Sequence, residues 1–322
     1  MSTTLTEPRT GKTSRPRILR GLNWLFVRQH RATLAGLLAL VLLGSAWILY
    51  QRADLIQTLD AVGWPEKGAP QQPLGRQYDY LSTLLNAIPI VLAVFLGAPL
   101  IAGDQENGTA QLATTQSVTR RRWLAAKCAW GLGIALLAGT VLSVCFTWWW
   151  EPHRSVFQYT WMEGTIFDST GPMLPALCLF LTAAGITIGV LLRRLLASMV
   201  VTFVFAAFVQ VAWGEFRTSL APSRMFTYPL NEELPARLSE SHELDRWVGS
   251  ADGHLYGWGS CAEATEKATD ACIKEKGIVN NVIEYLGYDQ MAAMQWTGAG
   301  ILLAGTALLT AFTLWRVSRR PL

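Results

Sequence analysis

The residues to weigh first are those that can move protons, attack bonds or hold ions. Four histidines stand in the chain, His30, His153, His242 and His254. Imidazole is the usual general base and metal ligand near neutral pH. All four lie outside the long apolar stretches of the sequence. That excludes a Ser–His pair or a histidine-held metal within a bilayer. No G-x-x-x-x-G-K-[ST] run occurs, so no loop of that kind cradles a nucleotide phosphate. No catalytic residue and no metal ligand set emerges, and the chain does not read as an enzyme.

Three short patterns remain. Glu232 to Arg237 reads EELPAR, the E-E-x-x-x-R pattern of a family of intramembrane proteases. Those glutamates need a membrane helix and nearby histidines. Here the run sits in a polar segment and reads as a solvated acidic helix start. Asn107-Gly108-Thr109 fits a glycosylation sequon, but the topology below puts it inside the cell. The third pattern is the segment around that sequon, residues 103–127, GDQENGTAQLATTQSVTRRRWLAAK. It opens on Asp104 and Glu106, breaks at Gly108 and closes on Arg120, Arg121 and Arg122. Gly108 can take the positive φ that stops a helix. Thr109 can cap a new one. Leu112 is an isolated apolar contact on a polar surface.

The elements around this segment are apolar. Of 322 residues, 51% are hydrophobic and only 16% charged, with 14 tryptophans and a mean hydropathy of +0.26. Soluble domains carry about 25% charged residues. A membrane-crossing helix needs about 20 apolar residues. Six stretches qualify: 32–50, 81–102, 128–150, 173–192, 195–213 and 294–315. None contains Asp, Glu, Lys, Arg or His. The first follows a basic segment without a small-residue cleavage site and reads as a true span. The formal net charge of +4 gives no footprint for nucleic acid.

Lysine and arginine favour the cytoplasmic side of membrane proteins. With the N-terminus inside, the inner segments hold sixteen of the 27 basic residues and three of the 23 acidic ones. Both termini are therefore predicted to be cytoplasmic. Trp148, Trp149 and Trp150 then form an aromatic belt at the outer end of span three.

The predicted fold is an all-α membrane protein. Residues 1–31 form a cytoplasmic tail and an interfacial helix, or simply a basic flank to span one. Residues 32–213 hold spans one to five, with the 103–127 loop between spans two and three. Residues 214–293 form a small folded extracellular domain, with two short helices predicted in 234–247 and 261–276. Residues 294–322 are span six and a basic tail. Gly185 and Gly189, four apart, let span four pack closely. Cys128, Cys145 and Cys178 fall in spans as packing residues. Cys261 and Cys272 lie in the outer loop, where a disulfide is permitted. Eleven residues of unbroken helix would hold their Cα atoms about 16 Å apart, beyond the roughly 7 Å limit for a bridge. A bridge therefore requires the helix to begin after Cys261.

Charge-free spans argue against a proton- or ion-coupled carrier, which holds its ion on buried ionisable groups. Energy would then arrive from outside the chain. Glu106-Asn107-Gly108-Thr109, with Leu112, Ser117-Val118-Thr119-Arg120 and Lys127, resembles the E-x-G-T…L…(S/T)-x-[ST]-R…K pattern of type-2 ABC transporter permeases. These are exporter-type membrane subunits, and the likeness extends to those of high-GC Gram-positive bacteria. Six spans, inner termini, a basic N-terminal helix and an outer insertion before span six also match.

The resemblance implies a permease subunit of an ATP-driven exporter in a bacterial cytoplasmic membrane. A separate ABC ATPase would carry ATP and Mg, leaving no cofactor in this chain. A second permease, identical or homologous, would complete the path through the lipid bilayer. Asp104, Glu106, Gly108, Thr109, Leu112 and Arg120 become the ATPase-coupling residues. Asn86, Thr187, Thr202 and Gln210 are the polar residues in spans that can line a path, and each can equally serve as an interhelical hydrogen bond. Pro89 and Pro99 are candidate kink points in span two. The alternative is a non-transporting membrane subunit of a peptide-sensing or immunity complex, with its ligand on the outer loop.

Overall fold

The computed structural model describes residues 22–66, 75–108, 119–157 and 160–319. It is mostly helical, and six helices are long and apolar enough to cross a membrane. A short helix α1 (Leu22–Gln29) leads into span one, α2 (Arg31–Val62). Residue for residue α2 is about 48 Å long, against about 30 Å for a bilayer core. The sequence expectation stopped this helix at residue 50. It continues because Gln51, Leu55 and Leu59, spaced by four, extend one buried face. Gly63, at φ 77°, ends it.

Span two is broken into three pieces. Helix α3 (Gly75–Leu92) contains Pro89, a π-helical turn covers Ala93–Gly97, and α4 (Pro99–Glu106) follows. Pro99 has no N–H to give to the turn behind it. The ladder widens there, with Ala98 N–H bonding to Ala93 O at 2.9 Å. Span three is α5 (Arg120–Trp150), capped by Thr119, whose Oγ1 accepts from Arg122 N–H. A 3-10 segment (Glu151–Val156) and a one-turn helix α6 (Gly164–Phe167) lead to span four, α7 (Met173–Leu192). Span five is α8 (Leu195–Phe216).

Spans two and four touch backbone to backbone. A Cβ on Gly185 would lie 2.5 Å from Ala93 O, and one on Gly189 2.6 Å from Ala98 O. The small-residue pair in α7 therefore seats the π turn of span two.

After span five the chain turns to strands, a correction to the all-α expectation. β1 (Arg224–Pro229), β2 (His242–Ser250), β3 (Leu255–Gly257) and β4 (Ile278–Leu286) form an antiparallel sheet in the order β1-β4-β2-β3. Residues 234–247, read as a helix, give a 3-10 turn at Ala236–Leu238 and then enter β2. Hydroxyls decide this. Ser239 and Ser241 bond back to Ala236 O and Leu238 O and close turns instead of a helix. The second expected helix is present as α9 (Glu266–Glu275), with Thr265 as its cap. It begins after Cys261, the sulfurs of Cys261 and Cys272 are bonded, and their Cα atoms are 5.6 Å apart. Val248, Cys261 and Ile278 form the small core beneath this helix. Span six is α10 (Met291–Arg319).

Candidate functional site

An even number of spans brings the start of span one and the end of span six to one side of the bundle, opposite the sheet. On that termini side the two ends of the loop between spans two and three are anchored to other helices. Asp104 sits in the last turn of α4 and Lys127 two turns into α5. Their side chains are 9% and 6% exposed and form an ion pair. Lys127 Nζ also donates to Leu100 O at 2.8 Å and lies 4.9 Å from the Trp123 ring centroid. Gln29, the last residue of α1, donates its Nε2 to the other oxygen of Asp104. Phe26 of α1 stacks on Trp130 of α5 at 5.3 Å. One carboxylate thus joins α1, span two and span three. A buried pair of this kind needs several hydrogen bonds to offset its lost hydration, and those donors supply them.

Glu106, the next acidic residue, turns the opposite way. Its Oε2 accepts the backbone N–H of Leu195, at 2.6 Å. Leu195 is the first residue of α8, whose own N-cap, Arg194, makes no side-chain capping bond. Glu106 therefore caps span five from span two. A carboxylate there also meets the positive end of the helix dipole. The connection between spans four and five is only Arg193 and Arg194. It is tight because Arg193 takes φ 60°.

Asn107 Nδ2 bonds to Gly103 O at 2.9 Å and closes the end of α4. Gly108 follows at φ 69°, with open space where a Cβ would stand. Arg120 opens α5 and is exposed, as are Arg121 and Arg122. Thr109 and Leu112 lie outside the described residues, as do Ser117 and Val118. The helices on either side claim residues to Glu106 and from Arg120, so the connection is shorter than the 103–127 read from sequence.

The four polar span residues separate into two groups. Gln210 Nε2 donates to Asn86 O at 2.7 Å, and both residues line a cavity of about 510 Å³ on the sheet side of spans two and five. Asp168, Trp213 and Arg217 complete its polar end. Asp168 accepts from Trp213 Nε1 at 2.9 Å and from Arg217 Nη1 at 3.3 Å. Burial pushes its carboxyl up to about 6, with Arg217 and the Trp213 N–H opposing the shift. Thr187 is elsewhere, bonded to Thr313 of span six at 2.9 Å. Thr202 is fully buried, with its methyl 3.2 Å from where a Gly185 Cβ would be.

Two groups escaped the sequence reading. Asp168 lies just before span four in a loop and carries no periodic signal, although an acidic residue beside Trp-rich spans was visible. The role of Lys127 as the partner of Asp104 was implicit in the charge pattern but not drawn.

Fold and site together define a multi-pass helical membrane protein whose loop between spans two and three is tied to α1, span three and span five. A family model described as ABC-2 membrane transporter related matches residues 37–217. That is more than half the chain, and the protein belongs to this family: it is a membrane subunit of an ABC transporter, a class that works with a partner ATPase. No curated protein and no solved structure matches the chain.

Proposed function

We propose that this chain is the permease subunit of an ATP-driven exporter, and that the segment from Asp104 to Lys127 carries the movement of the ATPase into the membrane. The observation that supports this is the double anchorage of its base. Asp104 holds Gln29 and Lys127, and Glu106 holds the start of span five. A push on the loop between them displaces α1, span three and span five together. The chain's termini and this loop face the cytoplasm, where the ATPase supplies ATP and Mg. The sheet domain lies outside a bacterial cytoplasmic membrane. A second permease, the same or homologous, closes the path.

The π turn gives span two a place to yield. Below it α4 is clamped to α5 and α8 by the two carboxylates. Above it α3 carries Asn86 toward Gln210 and the sheet-side cavity. Movement entering at Glu106 reaches span five at its N-terminal end and the cavity at the other. The cavity's apolar walls with Asp168 and Arg217 at one end suit an amphipathic substrate.

The test is purification of the tagged chain in mild detergent, with mass spectrometry of what accompanies it. A Glu106→Lys, Gly108→Pro variant is run beside it. The expected result is an ABC ATPase with the wild type, and weaker association or slower ATP hydrolysis with the variant. Unchanged hydrolysis in a variant that still binds ATPase would remove the loop from the coupling path. Absence of any ATPase, even with ATP analogues, would move the chain toward a receptor that works without one.

A further inference from the structure

A groove in the membrane half nearest the sheet plays no part in the coupling reading. Spans three and six both pack on span four, and the groove lies between them. Val144 and Trp148 of α5 and Trp296 and Leu303 of α10 form its rims, and Pro175 and Ala176 of α7 its floor. Its volume is about 760 Å³, within the size range of cavities that hold organic ligands.

The surroundings of the groove decide what can enter it. Both rims belong to the charge-free stretches 128–150 and 294–315, so the medium at the opening is hydrocarbon. Along span three the groove runs from Trp148 to Leu136, about 18 Å of helix. One leaflet of the bilayer core is about 15 Å deep. Polar groups in the wall make no demand on a guest. Ser143 Oγ donates to Gly171 O at 2.8 Å, Thr147 Oγ1 accepts from Gly171 N–H at 3.3 Å, and Gln295 Nε2 donates to Thr170 Oγ1 at 2.8 Å. An alkyl chain therefore fills the groove without stripping these groups of partners.

Charge appears only at the sheet end of the groove. Trp148 and Trp296 are exposed there on opposite rims, at the level where indoles meet headgroups. Pro152 has no N–H, so Trp148 O loses its helical donor. Arg52 of span one takes that place, donating through Nη1 to Trp148 O at 2.6 Å with its guanidinium 3.5 Å from the Trp148 ring centroid. Glu151, one turn beyond Trp148, lines the mouth of the groove and is exposed. It forms no ion pair among the described residues. A cation held by the main chain and an uncommitted carboxylate thus stand within a turn of span three. Their complement is a phosphate joined to an ammonium.

We propose that the groove binds one phospholipid of the sheet-side leaflet, with an ethanolamine head group. An acyl chain lies along α7 between spans three and six, the phosphate meets Arg52, and the ammonium donates to Glu151. A choline head group has no N–H to donate to the carboxylate, and a glycerol head group carries no cation. The inference rests on the membrane embedding of the chain, not on transport or on an ATPase.

The test uses the full chain in nanodiscs of phosphatidylcholine, without ATPase. Phosphatidylethanolamine, phosphatidylcholine and phosphatidylglycerol with dibrominated acyl chains are added in turn, because bromine quenches an indole it touches. The signal is the part of the emission that Trp296→Phe removes. Quenching against mole fraction is expected to give the ethanolamine lipid an advantage of about threefold over the other two, the size of an ion pair at an exposed site. Glu151→Gln should remove that advantage. Thr140→Phe, which places a ring in the groove, should remove it too and leave equal, weaker quenching by the surrounding lipid. Equal quenching by all three lipids in the wild type overturns the proposal, as does an advantage that survives either variant. Absence of quenching by any lipid also overturns it and assigns the groove to a protein partner. Should a variant fail to fold, the three-lipid comparison on the wild-type chain decides the matter alone.

Discussion

Removing either charge of the Asp104–Lys127 pair is the sharpest perturbation of the anchored loop. Both side chains are more than nine-tenths buried. Deleting one partner of such a pair costs about 3–5 kcal/mol, because the other charge stays buried without compensation. Asp104→Asn should fall at the low end, about 3 kcal/mol. The amide oxygen remains to accept, and Lys127 keeps Leu100 O. Lys127→Met should cost as much or more, since the Asp104 carboxylate then stays buried without its cation. The double variant buries no lone charge, so it should cost at least about 2 kcal/mol less than the sum of the singles. The assay is reversible unfolding in mixed micelles of rising SDS fraction, followed by tryptophan emission. Additivity within about 0.5 kcal/mol would refute the reasoning. It would mean that water screens both groups and that the pair does not tie span two to span three.

Three further outcomes are expected. Glu106→Ala should cost about 1–2 kcal/mol as the loss of a helix cap, and hydrogen exchange should quicken at the Leu195 amide. Glu106→Gln, which keeps an acceptor, should cost about 0.5–1 kcal/mol from the lost charge alone. Gly185→Ala should destabilise by about 1–3 kcal/mol through overpacking, because its Cβ would meet Ala93 O at 2.5 Å. Gly133→Ala, with open space around it, should be neutral or stabilising by up to about 1 kcal/mol, and the same unfolding assay reads both. Asp168, raised from 3.8 to about 6 by burial, holds its proton more tightly in the folded state than in the unfolded one. Its contribution is therefore greatest below pH about 4 and is lost as pH rises to about 6, a change of about 3 kcal/mol. Asp168→Asn should flatten that part of the stability profile.

The six spans were legible because length and apolar composition alone decide them. Asp104 and Glu106 were conspicuous in the sequence, but the groups they bond to were not. Gln29, Lys127 and Leu195 stand 75, 23 and 89 residues away from the acids they meet, and no local pattern announces such contacts. Span ends were misjudged for the opposite reason. Asp104 and Lys127 look like loop residues by charge, yet each is neutralised by the other and stays in helix. The sheet was missed where charge concealed it. Glu243, Asp245 and Arg246 make β2 read as a polar helix, and a bulge between Glu243 and Asp245 breaks its alternation. β4 was readable, since Ile278, Val279, Val282, Ile283 and Tyr285 are β-branched or aromatic residues in a short run.

The positions of the ionisable groups then constrain how the bundle can work. The long apolar interior holds no charge that must be carried across, so the helices can shift without stranding an ion in hydrocarbon. Charges gather at the two ends and do different work there. On the termini side Asp104 and Glu106 point to different helices from opposite faces of the last turn of α4. Rotating α4 about its axis would loosen one contact as it strained the other. A displacement that carries α1, span three and span five along with α4 keeps both. On the sheet side Asp168 and Arg217 fix the end of span five to the loop before span four. Span five is thus held at both ends, by Glu106 and by Asp168. A change that begins at Glu106 must either bend span five or reach the Asp168 contact. The part of the emission that Trp213→Phe removes, followed while ATP hydrolysis proceeds, distinguishes the two, because the Trp213 indole donates directly to Asp168. A shift in emission that Glu106→Ala abolishes places the two carboxylates on one mechanical path. An unchanged emission confines the movement to the termini side.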